Sequence, residues 1–141
     1  LNPGSPPRPL SKGASGGELS RILLALKCAL AQADPVPTQI FDEIDTGIGG
    51  ATAETVGRKI RSLADDNQVI CITHLPQIAV FADHHTVVSK AVIEGSSRTQ
   101  LLALQGSQRE EEIARMLGGA EITDTTRQHA REMIGFARDN T

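Results

Sequence analysis

Ile40-Phe41-Asp42-Glu43 closes one short apolar run, and Ile72-Thr73-His74 closes a second one further along. Between them, residues 51–64 carry Val56, Ile60 and Leu63 at helical spacing, with Arg58, Lys59 and Arg61 expected to face outward. Strands over 39–41 and 69–73, both buried and joined by a helix, predict a parallel pair with a right-handed crossover. Ligand chemistry in such sheets gathers at the carboxyl ends of the strands. Asp42 and His74 stand at two of those ends, and that placement says more than either residue type alone.

Upstream, Gly13-Ala14-Ser15-Gly16-Gly17-Glu18 opens a helix predicted over 16–33. Leu19, Ile22, Leu23, Leu26 and Leu30 form its apolar face, and Asp34-Pro35-Val36-Pro37 stops it. Ser15 and Glu18 fit a capping box. The two glycines argue for something more, because each costs about 1 kcal/mol of helix propensity. They make sense where a group must approach the backbone closely, and a helix N-terminus with bare N–H groups is a ready phosphate site. Phosphate contact is the favoured reading, and capping can hold beside it.

The acidic pair after the first run divides labour in the functional reading. Asp42 would hold Mg²⁺ through water, since that ion keeps most of its hydration shell. Glu43 would orient or deprotonate an attacking water. Two acids in a polar turn is the plainer alternative. His74 by itself reads as a satisfied polar residue at a strand end, and in company as a contact to a γ-phosphate. The phosphate-cradling loop that should precede these parts is missing: the chain has no G-x-x-x-x-G-K-[ST] and no Gly-Lys pair. It reads as one half of an ATP-hydrolysing engine.

The full chain of 141 residues sets the frame. Residues 1–12, rich in proline, are an expected lead-in from an upstream segment, and Leu1 is not a natural start. A loop at 46–50, a short helix over 76–82, a hairpin from 86–90 and 99–104 about Glu94-Gly95-Ser96-Ser97, and helices over 108–117 and 125–138 complete the pattern. With 39% hydrophobic and 2% aromatic residues, the core must come from Leu, Ile, Val and Ala. A net charge of −3 argues against a basic nucleic-acid surface spread over this chain. Cys28 and Cys71 sit in apolar stretches and read as small buried thiols, which suits a reducing, cytosolic compartment. No apolar run approaches the roughly 20 residues of a membrane span. His84-His85 beside Asp83 lacks a third ligand and reads as a solvated turn.

Two other function classes compete. Gly13-Ala14-Ser15-Gly16-Gly17 also matches G-x-S-x-G, the nucleophile elbow of serine hydrolases, which would make Ser15 a nucleophile. The elbow needs a strand running into the serine, and the residues before it are proline-rich. A non-catalytic interaction module is the third class.

These residues resemble a known family. Ser15-Gly16-Gly17-Glu18 resembles the signature motif of ABC-type ATPases, Ile40-Phe41-Asp42-Glu43 resembles Walker B followed by the catalytic glutamate, and His74 resembles the switch histidine, all in the family's order. Ile44-Asp45 stands where transporter ATPases usually carry proline, which points to the SMC/Rad50-like branch. The strings at 10–21, 41–48, 73–77 and 112–119 are similar to bacterial DNA-repair members of that branch, so the resemblance covers nearly the whole chain.

The resemblance implies an α/β fold, the C-terminal portion of an ABC-type P-loop ATPase head: a mainly parallel sheet flanked by helices, with the Walker A half missing and residues 13–141 as the lobe. It implies ATP and Mg²⁺ as ligands, with Asp42 serving the metal and Glu43 and His74 the chemistry at ATP held by the same head. Ser15, Gly16, Gly17 and Glu18 would reach the ATP of an opposite head. Asp45 is the nearest polar candidate for the loop after Walker B, whose usual aspartate falls about where Gly49 stands. Implied partners are the N-terminal half of the same head, a second head in an ATP-sandwich homodimer, and DNA through the full-length protein, with no membrane and a cytoplasmic, nucleoid-associated location. The head of a chromosome-structuring SMC-type ATPase is the alternative within the family.

Overall fold

The computed structural model describes residues 13–30, 36–93, 96–119 and 121–140. The proline-rich 1–12, the expected end of the first helix at 31–33, Asp34-Pro35 of its stop signal and Glu94-Gly95 of the hairpin turn lie outside the described residues. The elements run α1 (Gly16–Ala29), β1 (Thr38–Phe41), α2 (Gly50–Leu63), β2 (Gln68–Cys71), α3 (Pro76–Ala79), β3 (His85–Ile93), β4 (Ser96–Leu104), α4 (Ser107–Gly118) and α5 (Asp124–Asp139).

β1 and β2 pair in parallel, Ile40 opposite Ile70 and Phe41 opposite Cys71. The ladder is extended by the Ile72 N–H, which donates to the Phe41 carbonyl at 2.9 Å. β3 and β4 form a separate antiparallel hairpin, longer at both ends than the sequence predicts. The expected α/β character holds.

Phe41, Ile44, Leu24, Ala53, Val56, Leu63 and Ile78 make one core beneath the parallel pair. Fully burying a side chain such as Ile44 contributes about 1.5–3 kcal/mol. A second core joins Ala79, Val80 and Phe81 to Ile113 and Ala114 of α4 and to Ala130 and Ala137 of α5. Alanine dominates that cluster, which lets the helices pack closely.

The packing departs from the sequence pattern at several places. The leucine stripe of α1 does not face this core: Leu19, Ile22, Leu23, Leu26 and Leu30 are all exposed, Leu26 by 53%, whereas Leu24 is 3% exposed. The inward face runs instead through Gly17, Ser20, Arg21, Leu24 and Cys28, a stripe of small and polar groups. The strands are covered on one side only, so Ile40, Ile70 and Ile72 lie on the open face of the pair, Ile40 being 64% exposed. Arg58 keeps 37% of its side chain exposed, as expected, but it also reaches neighbouring rings. Its guanidinium lies 5.6 Å from the Phe81 ring centroid and 4.9 Å from that of Phe136, tying α2 to the C-terminal helix.

Candidate functional site

The site is built where three local structures converge at the carboxyl ends of β1 and β2: the start of α1, the loop after β1 and the segment after β2.

Ser15 caps α1. Its hydroxyl accepts from the Glu18 N–H at 3.3 Å, and its own N–H donates to Glu18 Oε2 at 2.8 Å, a complete capping box. The Ser15 N–H holds the Glu18 carboxyl below the usual range. The adjacent glycines are explained within the chain. A Cβ on Gly16 would run into Oε2 of Glu43, and one on Gly17 would come within 2.9 Å of the Thr46 carbonyl and 3.0 Å of the Glu43 carbonyl. The close approach expected of a phosphate is therefore made first by the 43–46 loop. Among the described residues no acceptor meets the Gly16 N–H, and the Glu43 carboxylate lies against the same glycine.

Arg21, one turn on, clamps that loop by donating to the carbonyls of Ile44 at 3.2 Å and Thr46 at 2.9 Å. Ser20 Oγ donates to the Asp42 carbonyl at 2.9 Å. Sequence reasoning assigned neither residue a role. The usable signal is their position three and four residues after Gly17, on the face that Leu24 and Cys28 continue.

Asp42 is exposed, and its Oδ1 accepts from the Glu43 N–H at 2.9 Å. Among the described residues no donor reaches Oδ2, which fits an acid left available to a hydrated cation. No group of three or more His, Cys, Asp or Glu converges as a metal site among the described residues. Glu43 has φ +58°, the one non-glycine residue in the left-handed region among those described. A side chain held there is strained, and such strain concentrates at functional sites. Thr46 N–H donates back to the Glu43 carbonyl at 3.1 Å and closes the turn.

Asp45 is buried, unlike the two acids before it. Its Oδ2 accepts from Thr73 Oγ1 at 2.7 Å and from the His74 N–H at 2.8 Å, and His74 Nδ1 lies 2.9 Å from the same oxygen. Burial pushes its carboxyl up, but the Thr73 and His74 hydrogen bonds outweigh that and hold it below the usual range. The His74 ring is 75% exposed. Asp45 is thus turned toward its own strand ends rather than outward. Beneath the site, burial and the Asp45 and Asp42 charges push the Cys71 thiol up to about 12.

The structure thereby brings Ser15, Gly16, Gly17, Glu18, Asp42, Glu43, Asp45 and His74 to one end of the parallel pair. It does not assemble an elbow at Ser15: the hydroxyl is engaged with Glu18, and Gly13 and Ala14 are not strand. His84 is exposed, whereas His85 is drawn into β3 and half-buried, so the pair does not act as a solvated turn.

No family model matches the chain. Over 133 residues, 94% of its length, it is 51% identical to a DNA repair protein RecN of Xylella fastidiosa. It is 47% identical over 137 residues to RecN of Streptomyces coelicolor and 44% identical over 133 residues to RecN of Bacillus subtilis. The chain spans about a quarter of the length of these relatives, 24% of the first. Among solved structures it resembles a chain from structural work on ATP-driven dimerization and DNA-stimulated activation of SMC ATPases, with a TM-score of 0.54 and 22% identity, covering 84% of this chain and 70% of that one. The α/β fold is that of part of an SMC ATPase head.

Proposed function

We infer that this chain is a segment of a RecN-type DNA repair protein and forms the C-terminal lobe of its ATPase head, with residues 13–141 as the lobe and 1–12 leading in from upstream. The observation that carries the reading is the strained Glu43, set between an open Asp42 and the Asp45–His74 pair, with the start of α1 packed against its carboxylate.

In this reading Glu43 orients and deprotonates the attacking water, and His74 meets the γ-phosphate from the neighbouring strand end. Asp42 would hold Mg²⁺ through water, and that ion would supply charge neutralisation for the phosphates. The open N–H at the start of α1 suits phosphate of a nucleotide held by a second head, with Ser15, Gly16, Gly17 and Glu18 forming the contact surface. ATP would close two heads, hydrolysis would reopen them, and DNA would be engaged by the full-length protein in double-strand-break repair.

The missing phosphate loop must come from another lobe. The open sheet face at Ile40, Ile70 and Ile72 and the leucine stripe of α1 supply two large apolar surfaces for it. Among the described residues no helix is long and apolar enough to cross a membrane, and a cytoplasmic, nucleoid-associated location goes with the repair role.

Two variants of the full-length protein test this. Glu43→Gln should lower ATP turnover about 10²–10⁴-fold while ATP-driven head pairing persists. Ser15→Arg should block pairing and spare nucleotide binding to one head. Normal turnover in Glu43→Gln would refute the assignment, and pairing that survives Ser15→Arg would remove the contact to the opposite nucleotide.

A further inference from the structure

Asp45 makes three contacts through one oxygen, and the third has no structural need. Thr73 Oγ1 and the His74 N–H already occupy the buried carboxylate, at 2.7 and 2.8 Å. The His74 ring could otherwise turn freely, since it is largely exposed, yet its Nδ1 is held 2.9 Å from the same Oδ2. Pinning an exposed side chain costs rotamer entropy and returns little stability at the surface. The pin makes sense if the ring has work to do.

We propose that Asp45 is a positioning residue that fixes His74 with its proton on Nδ1 and Nε2 presented to the ligand. A carboxylate accepts and does not donate, so an imidazole nitrogen facing it must carry hydrogen. Nδ1–H is then set in both charge states, and Nε2 becomes the working atom. It accepts when the ring is neutral and donates to a phosphate oxygen when the ring is charged. The Thr73 hydroxyl, which also accepts from the Leu75 N–H at 3.0 Å, keeps the carboxylate aligned. Carboxylate partners fix metal-bound histidines in the same way. The tautomer is a property of this chain; its use in turnover rests on the ATPase reading above.

The test is Asp45→Asn in the full-length protein, read in two independent ways. With ¹⁵N-labelled histidine, and the His74 signals assigned by their loss in His74→Gln, the unaltered protein should show the Nδ1–H pattern. Asp45→Asn keeps an oxygen on Thr73 and the His74 N–H but removes the charge that holds Nδ1–H, so the Nε2–H form should gain population. In turnover, Asp45→Asn should lower kcat about 10–100-fold with KM little changed, and should have no further effect in a His74→Gln background. Nε2–H in the unaltered protein, or an unchanged Nδ1–H pattern in Asp45→Asn, overturns the assignment. Additive losses in the double variant overturn the positioning role. A protein with the Nδ1–H pattern but no ATP turnover would sink the ATPase reading and leave the tautomer assignment standing.

Discussion

Replacing the two glycines at the start of α1 by alanine separates packing from chemistry. On Gly17 a Cβ would lie 2.9 Å from the Thr46 carbonyl, 3.0 Å from the Glu43 carbonyl and 3.0 Å from Arg21 Nη1. Two of these are backbone atoms, and the third is the guanidinium that holds the loop, so none yields cheaply. Overpacking of this kind costs about 1–3 kcal/mol, and alanine returns at most about 1 kcal/mol of helix propensity. Gly17→Ala should therefore lose about 1–2 kcal/mol. With a urea slope of about 2 kcal/mol per molar, the unfolding midpoint falls by about 0.5–1 M. On Gly16 the Cβ meets only the flexible end of Glu43, whose Cδ is 3.7 Å away. That carboxylate can swing aside, so Gly16→Ala should unfold within about 0.5 kcal/mol of the parent, as substitutions free of a named defect do. Its turnover should fall, because Glu43 is displaced. Circular dichroism in urea and steady-state ATP hydrolysis on the full-length variants decide the matter. A Gly17→Ala protein as stable as its parent would refute the close loop–helix contact, and full turnover in Gly16→Ala would refute the need for that Glu43 position.

Three further outcomes are expected. Burial, then the nearby Arg109, lowers the His85 pKa below 6.5, with Glu112 opposing, and its Nδ1 is buried with no partner among the described residues. The stability from neutral His85 is full above pH 6.5 and is lost as pH falls toward the depressed folded value. His85→Gln should flatten that part of the unfolding–pH curve, and an unchanged slope would contradict it. With its pKa pushed up to about 12, Cys71 has about one thiolate in 10⁴ at pH 8. Iodoacetamide should label it in urea and hardly at all in the native protein, as mass spectrometry of the labelled peptide would show. Glu43→Gly relieves a left-handed residue worth about 1–2 kcal/mol against a glycine entropy cost of about 0.5–1 kcal/mol. It should keep its unfolding midpoint nearly intact and lose turnover, so a collapse in stability would count against the strain at this position.

The strand ends are legible in the sequence because each closes an apolar run with a polar residue, and the run's pairing fixes what lies beside it: Phe41 opposite Cys71 sets the acid pair next to Thr73 and His74. The helix stripe misleads for a physical reason. Periodicity marks every apolar face and cannot say which neighbour covers it, so the five leucine and isoleucine positions of α1 outshine the Gly17–Ser20–Leu24 face that actually packs. The same limit hides the open side of the strands. The roles of Arg21 and Asp45 are invisible for a different reason. Their partners, Thr46 and His74, are distant in sequence and are met only when the loop and both strand ends are folded together. Arg58 adds a tertiary contact that the sequence does not show: its partly exposed guanidinium lies near the Phe81 and Phe136 rings of other elements.

The central claim is that this chain is half of an ATP site. ATP hydrolysis should be measured for the chain alone, then after mixing with the matching lobe that carries the phosphate loop, with Glu43→Gln as control. The account predicts no turnover alone, turnover on mixing, and its loss in the variant. Turnover by the chain alone, or none from a demonstrated complex of the two lobes, would contradict it.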